Sequence, residues 1–266
     1  MTNPRGIILD LDGTIYRDSR VIPGAPNAIA RLREQGHDLV FVTNAIESPT
    51  EHVARLAQFN IPVSPEEIIN ASLILSRHLS HIMPNAAVFA IGDPPLLEQL
   101  RPSFRISEDT DEIDVVIASC DRTFDYHKLN VGFQALRRGA HFWATNADAT
   151  CPVPGGELPD AGAVIGALEG CSNRKVELVV GKPSPVVAEI ALEQLGRSAQ
   201  ECLIVGDRLE TDILMGHRAG MRTVLVLSGV TRQEDLTPAI VQPDYVLESI
   251  AQLPQLLNHE GDRFEN

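Results

Sequence analysis

The chain of 266 residues has no apolar run near the roughly 20 residues that a membrane helix needs. It also lacks a basic stretch leading into a long apolar segment near its start, which argues against a secretory leader and points to a cytoplasmic protein. Positive charge is scarce: 22 Lys and Arg stand against 36 Asp and Glu, a net charge of −14. That excess disfavours nonspecific binding to nucleic acid or to an anionic membrane. It also repels a phosphorylated ligand at long range, so an anion site has to be built locally from a few cations and backbone N–H groups. Cysteine is sparse too. Cys120, Cys151, Cys171 and Cys202 form no C-x-x-C pair and have no paired histidines nearby, which leaves zinc and redox-motif readings unsupported. Cys202 sits in an apolar run as a small core residue, and reduced thiols fit a cytoplasmic protein. Neither an internal repeat nor a low-complexity segment is visible. What remains is an ordinary globular composition, 44% hydrophobic and 22% charged, long enough for one large domain or two smaller ones.

Strand-like and helix-like runs alternate along the chain, which predicts an α/β fold with a mainly parallel sheet. Gly6 to Leu9 reads as a buried strand, and residues 25–35 as a helix with Ile29 and Leu32 on one face and Gly36 past its end. Asp38 to Val42 is a second buried strand, ending in Thr43-Asn44. Ser48-Pro49-Thr50-Glu51 and Ser64-Pro65-Glu66-Glu67 both have the form of a capping box. A helix is expected over about 72–82, followed by strands at 87–91, 115–118 and 141–144 with helices near 95–101 and 125–138 between them. Ala161 to Leu168 reads as a helix, Leu178 to Val180 as a strand, and Ser184-Pro185 starts another helix ending near Gly196. Cys202 to Val205 is a strand ending in Gly206-Asp207, followed by a helix to about Ala219, a strand at 223–227 and a last pair at 245–247 and 249–257. Residues 259–266 are polar and expected to fray.

Four predicted strand ends carry chemically useful residues: Asp10 with Asp12, Thr43 with Asn44, Lys182, and Asp207 with Asp212. Ligands of open α/β sheets bind outside the carboxyl ends of the strands. Two carboxylates at the end of a buried strand repel each other and call for a cation or a proton. Each motif alone also fits a plainer role. Asp10-Leu11-Asp12 suits a strand-to-loop exit with solvated carboxylates, Thr43-Asn44 a turn, Lys182 a solvated loop, and Asp207 and Asp212 the capping of the helix that follows. Together they supply what phosphoryl transfer requires: a nucleophile, neutralisation of the phosphoryl oxygens, a metal site and a proton carrier. From Asn44 to Lys182 the chain is far longer than one crossover needs. Spacing therefore predicts an inserted α/β domain.

The ordered set Asp10-Leu11-Asp12-Gly13-Thr14, Thr43-Asn44, Gly181-Lys182-Pro183 and Gly206-Asp207-Arg208-Leu209-Glu210-Thr211-Asp212 resembles the haloacid dehalogenase superfamily of phosphohydrolases. Within it, Ala144-Thr145-Asn146-Ala147-Asp148 and Val179 to Ser184 are similar to the branch with a type IIA cap, which holds NagD-type nucleotide phosphatases, p-nitrophenylphosphatases, phosphoglycolate phosphatases and the arabinose-operon sugar phosphatase. The resemblance implies a Rossmann-like core over 1–73 and 179–266 and a cap over 74–178. It implies Asp10 as the nucleophile, forming an aspartyl phosphate, and Asp12 as general acid and base. Mg²⁺ is expected on Asp10, the Asp12 carbonyl and Asp207, with Asp212 orienting a metal-bound water. Thr43, the Asn44 N–H and Lys182 are expected to bind the phosphoryl oxygens, and Arg122, Thr123, Asn146 and Asp148 to meet the leaving group.

The chain departs from its relatives' pattern at Ala45-Ile46-Glu47-Ser48, where they often carry a polar stretch with a basic residue. The expected partner is a small phosphorylated metabolite. Sugar phosphates are favoured over nucleotides or phosphoglycolate, because a carboxylate such as Asp148 suits hydroxyl groups better than further phosphates. A phosphotransferase or mutase on the same core and a non-catalytic binding protein are the alternatives. A homodimer through the cap or the core is compatible with the sequence.

Overall fold

The computed structural model describes residues 5–153, 155–237, 239 and 241–261. The chain divides into two compact units. The first comprises Met1–Thr43, Pro49–Ile69 and Val187–Asn266, and the second Asn44–Ser48 and Asn70–Val186. The junction expected at 73/74 falls between Ile69 and Asn70, and the Asn70 side chain caps the helix Ala71–Ile82 by accepting the Leu73 N–H at 2.8 Å; the short segment Asn44–Ser48 also goes with the second unit. The last junction, expected at 178/179, falls after Val186. Leu178–Val179 is an edge strand of the second unit, and the next two residues stay bonded to it, Val180 N–H to the Ala144 carbonyl and Gly181 N–H to that of Thr145.

The first unit is built on a six-stranded, mostly parallel sheet. Its spatial order is Tyr245–Leu247, Arg222–Val226, Cys202–Gly206, Gly6–Asp10, Asp38–Thr43 and Ile68–Asn70. Ile7, Ile8 and Leu9 are fully buried, as expected for a central parallel strand covered on both faces. That strand pairs on one side with Cys202–Gly206 (Ile8 opposite Ile204) and on the other with Asp38–Thr43 (Asp10 opposite Val42). The helix Ala25–Glu34 starts after Gly24 at φ +84° and buries Ala25, Ala28, Ile29 and Leu32 in the core with Leu9, Phe41 and Val205.

The second unit has its own five-stranded parallel sheet, in the order Leu178–Val179, His141–Ala144, Val115–Ala118, Ala87–Ile91 and Arg105–Ile106. Tyr126–Arg138 and Ala161–Ser172 pack Val131, Leu136, Val164 and Leu168 onto Ile91, Val116 and Phe142. Among the described residues, no helix is long and apolar enough to cross a membrane.

Several local features differ from expectation. The box at Ser64 forms, with the Ser64 N–H donating to Glu67 Oε2 at 2.8 Å, but it opens a single 3₁₀ turn, Pro65–Glu67. The β-branched pair Ile68-Ile69 follows at once and takes the chain into the edge strand instead. The helix expected after Asp207 begins as a π-helical turn, Leu209–Ile213, before Leu214–Ala219. Two hairpins carry no strand signal: Tyr16–Arg17 with Arg20–Val21, and Thr150–Val153 with Gly156–Pro159. The last helix runs Leu253–Gly261, into the tail expected to fray, and 262–266 lie outside the described residues.

Candidate active site

Asp10 ends the central strand of the first sheet, and Asp207 directly follows the neighbouring strand Cys202–Gly206. From the Gly6–Asp10 strand the chain continues to one side of the sheet and later returns to the other. The gap between these two strands is thus a topological switch point, where open α/β sheets bind ligands. The turn Leu209–Ile213 brings Asp212 to the same place. One carboxylate oxygen from each of Asp10, Asp207 and Asp212 lies within 4.8 Å of the others, and all three residues are buried.

Glycines make this crowding possible. A Cβ on Gly206 would stand 2.2 Å from the Asp212 carboxyl carbon, and one on Gly229 would stand 1.9 Å from Asp207 Oδ2. Gly13, at φ +88°, would put one 2.3 Å from the same oxygen. Asp207 is also pinned from behind: its Oδ2 accepts the Val230 N–H at 2.6 Å and its carbonyl the Thr231 N–H at 3.2 Å. Asp212 Oδ2 accepts the Arg208 N–H at 3.2 Å.

Each pair of charges at such separations costs on the order of 3 kcal/mol at an effective dielectric of about 20. A buried, all-oxygen donor set of this kind fits a hard divalent cation, which would turn the mutual repulsion into attraction. No cysteine or histidine belongs to the cluster.

Asp12 stands in a different environment, exposed where Asp10 is buried. The loop around it is tightly wound. The Leu11 carbonyl accepts the N–H groups of Thr14, Ile15 and Tyr16, and Ser228 Oγ donates to the Gly13 carbonyl at 2.7 Å. Two carboxylates in unlike surroundings, one dry and one wet, suit a division of labour between nucleophile and proton carrier. Thr43 is buried at the end of its strand, one residue beyond the partner of Asp10.

In the second unit, Asn44, Asn146, Asp148 and Lys182 form one network. The Asn44 amide clasps the lysine backbone, accepting the Lys182 N–H at 2.8 Å and donating to the Lys182 carbonyl at 3.4 Å. It also donates to Asp148 Oδ2 at 3.2 Å. Asn146 is buried, donates to the Asn44 carbonyl at 3.5 Å and accepts the Asp148 N–H at 3.0 Å. Gly181 is required here, since a Cβ would lie 2.5 Å from the Thr145 carbonyl and 2.7 Å from Asn44 Oδ1. The Lys182–Pro183 peptide is cis.

Arg122 and Thr123 stand outside that network, on the loop after Val115–Ala118. Arg122 donates from its backbone N–H to Asp93 Oδ1 at 2.9 Å and from Nε to Oδ2 at 2.6 Å. Its side chain nevertheless stays 70% exposed, so the guanidinium is both anchored and presented. Thr123 is tied to Asp121, and Lys128 bridges the two at 2.6 and 2.7 Å. Burial, with Asp160 and Asp93 nearby, pushes the Cys120 thiol up to about 12, so it stays protonated and is no nucleophile.

No local sequence signal marks Asp93 as the anchor of Arg122. Gly229 was in principle readable, as a glycine just past an apolar strand.

The haloacid dehalogenase-like hydrolase family model matches residues 7–103, and a second model, described as HAD-hydrolase-like, matches 179–253. The chain is 37% identical over 256 residues to the sugar-phosphatase AraL of Bacillus subtilis, covering 96% of this chain and 93% of that one. It is 32% identical to the 5'-nucleotidase YutF of the same organism, over 95% and 98% of the two chains. Among solved structures, a p-nitrophenyl phosphatase from Archaeoglobus fulgidus superposes with a TM-score of 0.89 at 34% identity, covering 96% of this chain and 99% of that one.

Proposed function

The chain belongs to the haloacid dehalogenase-like hydrolases and is a phosphatase, and on that premise we propose that it dephosphorylates small metabolites, sugar phosphates foremost, with Mg²⁺ and through an aspartyl phosphate on Asp10. The observation that carries the reading is the convergence of Asp10, Asp207 and Asp212 at the switch point, with Asp12 exposed beside them.

In the first half-reaction, an Asp10 carboxylate oxygen forms a bond to phosphorus as the bond to the leaving oxygen breaks. Asp12 gives its proton to that oxygen. In the second, Asp12 takes a proton from water, the water oxygen bonds to phosphorus, and the Asp10–phosphorus bond breaks. Inorganic phosphate leaves, Asp10 is again a carboxylate and Asp12 again carries its proton. General acid–base help of this kind is worth about 10²–10⁴ in rate. Asp10, Asp207 and the Asp12 carbonyl, with Asp212 beside them, would hold Mg²⁺, which would supply positive charge against the phosphoryl oxygens. Thr43, the Asn44 N–H and Lys182 are assigned to those oxygens, and the Asn44 amide holds the lysine's backbone.

The sugar-phosphate preference rests on the likeness to AraL and on the polar groups of the second unit. The likeness to YutF supports a nucleotidase as the second reading. Phosphate release across sugar phosphates, nucleoside monophosphates and phosphoglycolate, with and without EDTA, tests both. The highest kcat/KM should fall on a sugar phosphate, and chelation should abolish turnover. Best turnover of a nucleoside monophosphate would move the assignment to the second reading.

Arg122→Ala is the cleaner probe of leaving-group recognition, because its exposed guanidinium is held at Nε by Asp93, while the loop is held by the backbone bond to the same residue, which the substitution keeps. It should change relative kcat/KM among sugar phosphates by about 10-fold or more, the scale of a lost polar contact. The rate on p-nitrophenyl phosphate, which has no hydroxyls to recognise, should change much less. Asp148→Ala should show the same selective effect on top of a general loss, since it also removes an acceptor of the Asn44 amide. An equal drop on every substrate in Arg122→Ala would remove that residue from the specificity set.

A further inference from the structure

Tyr16 is fully buried, yet its backbone groups are engaged in the Asp12 loop and its hydroxyl on a neighbouring helix. Its N–H donates to the Leu11 carbonyl at 3.2 Å and its carbonyl accepts the Gly13 N–H at 2.7 Å, so the residues on either side of Asp12 both hang on Tyr16. A β-bridge pairs Tyr16 with Asp12 itself. The side chain reaches the other way, to the helix Pro49–Gln58 and the residue just past it. Arg55 Nη1 donates to the phenol oxygen at 3.4 Å, the guanidinium lies 5.5 Å from the ring centroid, and the Phe59 ring is centred 5.9 Å away. Burial raises the phenol's pKa first, and the nearby Asp12 charge raises it further, so the group stays neutral. All these residues belong to the first unit.

The backbone bonds would form with any residue but proline at this position, and a tyrosine that served only as core filler would gain nothing from its hydroxyl. Its hydroxyl would be a cost, because a buried hydroxyl is tolerated only when bonded. Here the hydroxyl's partner is a cation on a separate helix, and the backbone of the same residue closes the loop that carries the proton donor. We propose that Tyr16 and Arg55 form a positioning pair that holds the Asp12 carboxyl where it can protonate the departing oxygen. The pair acts through Asp12 and touches no substrate. The proposal rests on Asp12 being the general acid, as assigned above.

Leaving-group dependence is the readout that a merely structural role does not move. kcat/KM reports the steps up to departure of the leaving group, so it isolates the proton donation from the later activation of water. An alkyl phosphate such as glycerol phosphate needs the proton when it leaves, whereas p-nitrophenolate hardly does. In Tyr16→Phe, which keeps the ring and its packing, the ratio of kcat/KM for glycerol phosphate to that for p-nitrophenyl phosphate should fall by about 10-fold, with the loss in kcat rather than KM. Arg55→Met should lower the same ratio, and Arg55→Lys should restore part of it. Asp12→Asn serves as the reference and should lower it most. If Tyr16→Phe and Arg55→Met reduce both substrates by one common factor, or change neither, while Asp12→Asn shows the dependence, the positioning role is overturned and the catalytic reading stands. If Asp12→Asn itself shows no dependence, the acid assignment fails and the proposal fails with it.

Discussion

Asp10→Asn should leave a folded protein that releases less than a few per cent of the wild-type phosphate from any ester, because a neutral amide does not form the acyl phosphate. The environment of Asp10 adds a second, less obvious expectation. Its carboxylate takes part in two of the three repulsive pairs of the acidic cluster. Neutralising it should relieve a few kcal/mol of charge repulsion in the metal-free protein. The variant should therefore melt several degrees higher than wild type in EDTA, and this advantage should shrink when Mg²⁺ is added. Phosphate-release assays and paired melting curves check both halves. Turnover well above a few per cent in the folded variant would remove Asp10 as nucleophile, and a lower melting temperature in EDTA would contradict the repulsive cluster.

Asp207→Asn is the second change with a large expected effect. It removes the charge but keeps an oxygen where the Val230 N–H donates, so the loop 228–231 should stay in place. The apparent Mg²⁺ affinity should fall by two orders of magnitude or more, with the melting temperature in EDTA unchanged or raised. Asp207→Ala is a poorer probe, because it also orphans the Val230 N–H and leaves a cavity between Gly13 and Gly229. Asp212→Asn should cost less, within the 10- to 100-fold range typical of groups that act on a metal through another ligand. Titration of Mg²⁺ followed by calorimetry separates the cases. Equal losses at the two positions would show that both aspartates ligate directly.

The parts of this fold that were legible in the sequence are those governed by burial of apolar runs. Ile7 to Leu9 and Leu203 to Val205 have no choice but the middle of a two-faced sheet, and their ends then locate Asp10 and Asp207. Asp212 was expected beyond Asp207 but on a regular helix, since nothing in Leu209 to Ile213 announces a wider turn. The hairpin Thr150–Val153 with Gly156–Pro159 was hidden because prolines and glycines suppress strand propensity, and its exposed second strand has no apolar face to reveal it. Long-range polar contacts were the least legible. The Asn44 amide finds its partners at Asp148 and Lys182, more than a hundred positions on, and Arg122 finds Asp93 at a distance of 29. Local pattern carries no record of such pairs. A reading limited to Thr43-Asn44 assigns the asparagine a backbone role and leaves its side chain idle.

The pairing of Gly6–Asp10 with Cys202–Gly206 sets an order for synthesis on the ribosome. The nucleophile's strand is among the first segments to emerge, but its neighbour on one side follows only after about 200 further residues, some 10–40 s later at ordinary elongation rates. Until then that strand has an open edge, the kind of surface on which nascent chains aggregate or recruit chaperones. Most of the second unit, Asn70–Val186, is continuous in sequence and can complete its sheet in the meantime. Nascent chains stalled at about 220 residues, with the ribosomal tunnel still covering the last few tens, should accordingly show a protease-resistant 70–186 fragment while residues 6–43 remain cleavable. Protection of both segments at that length would mean that the first sheet closes without its central neighbour.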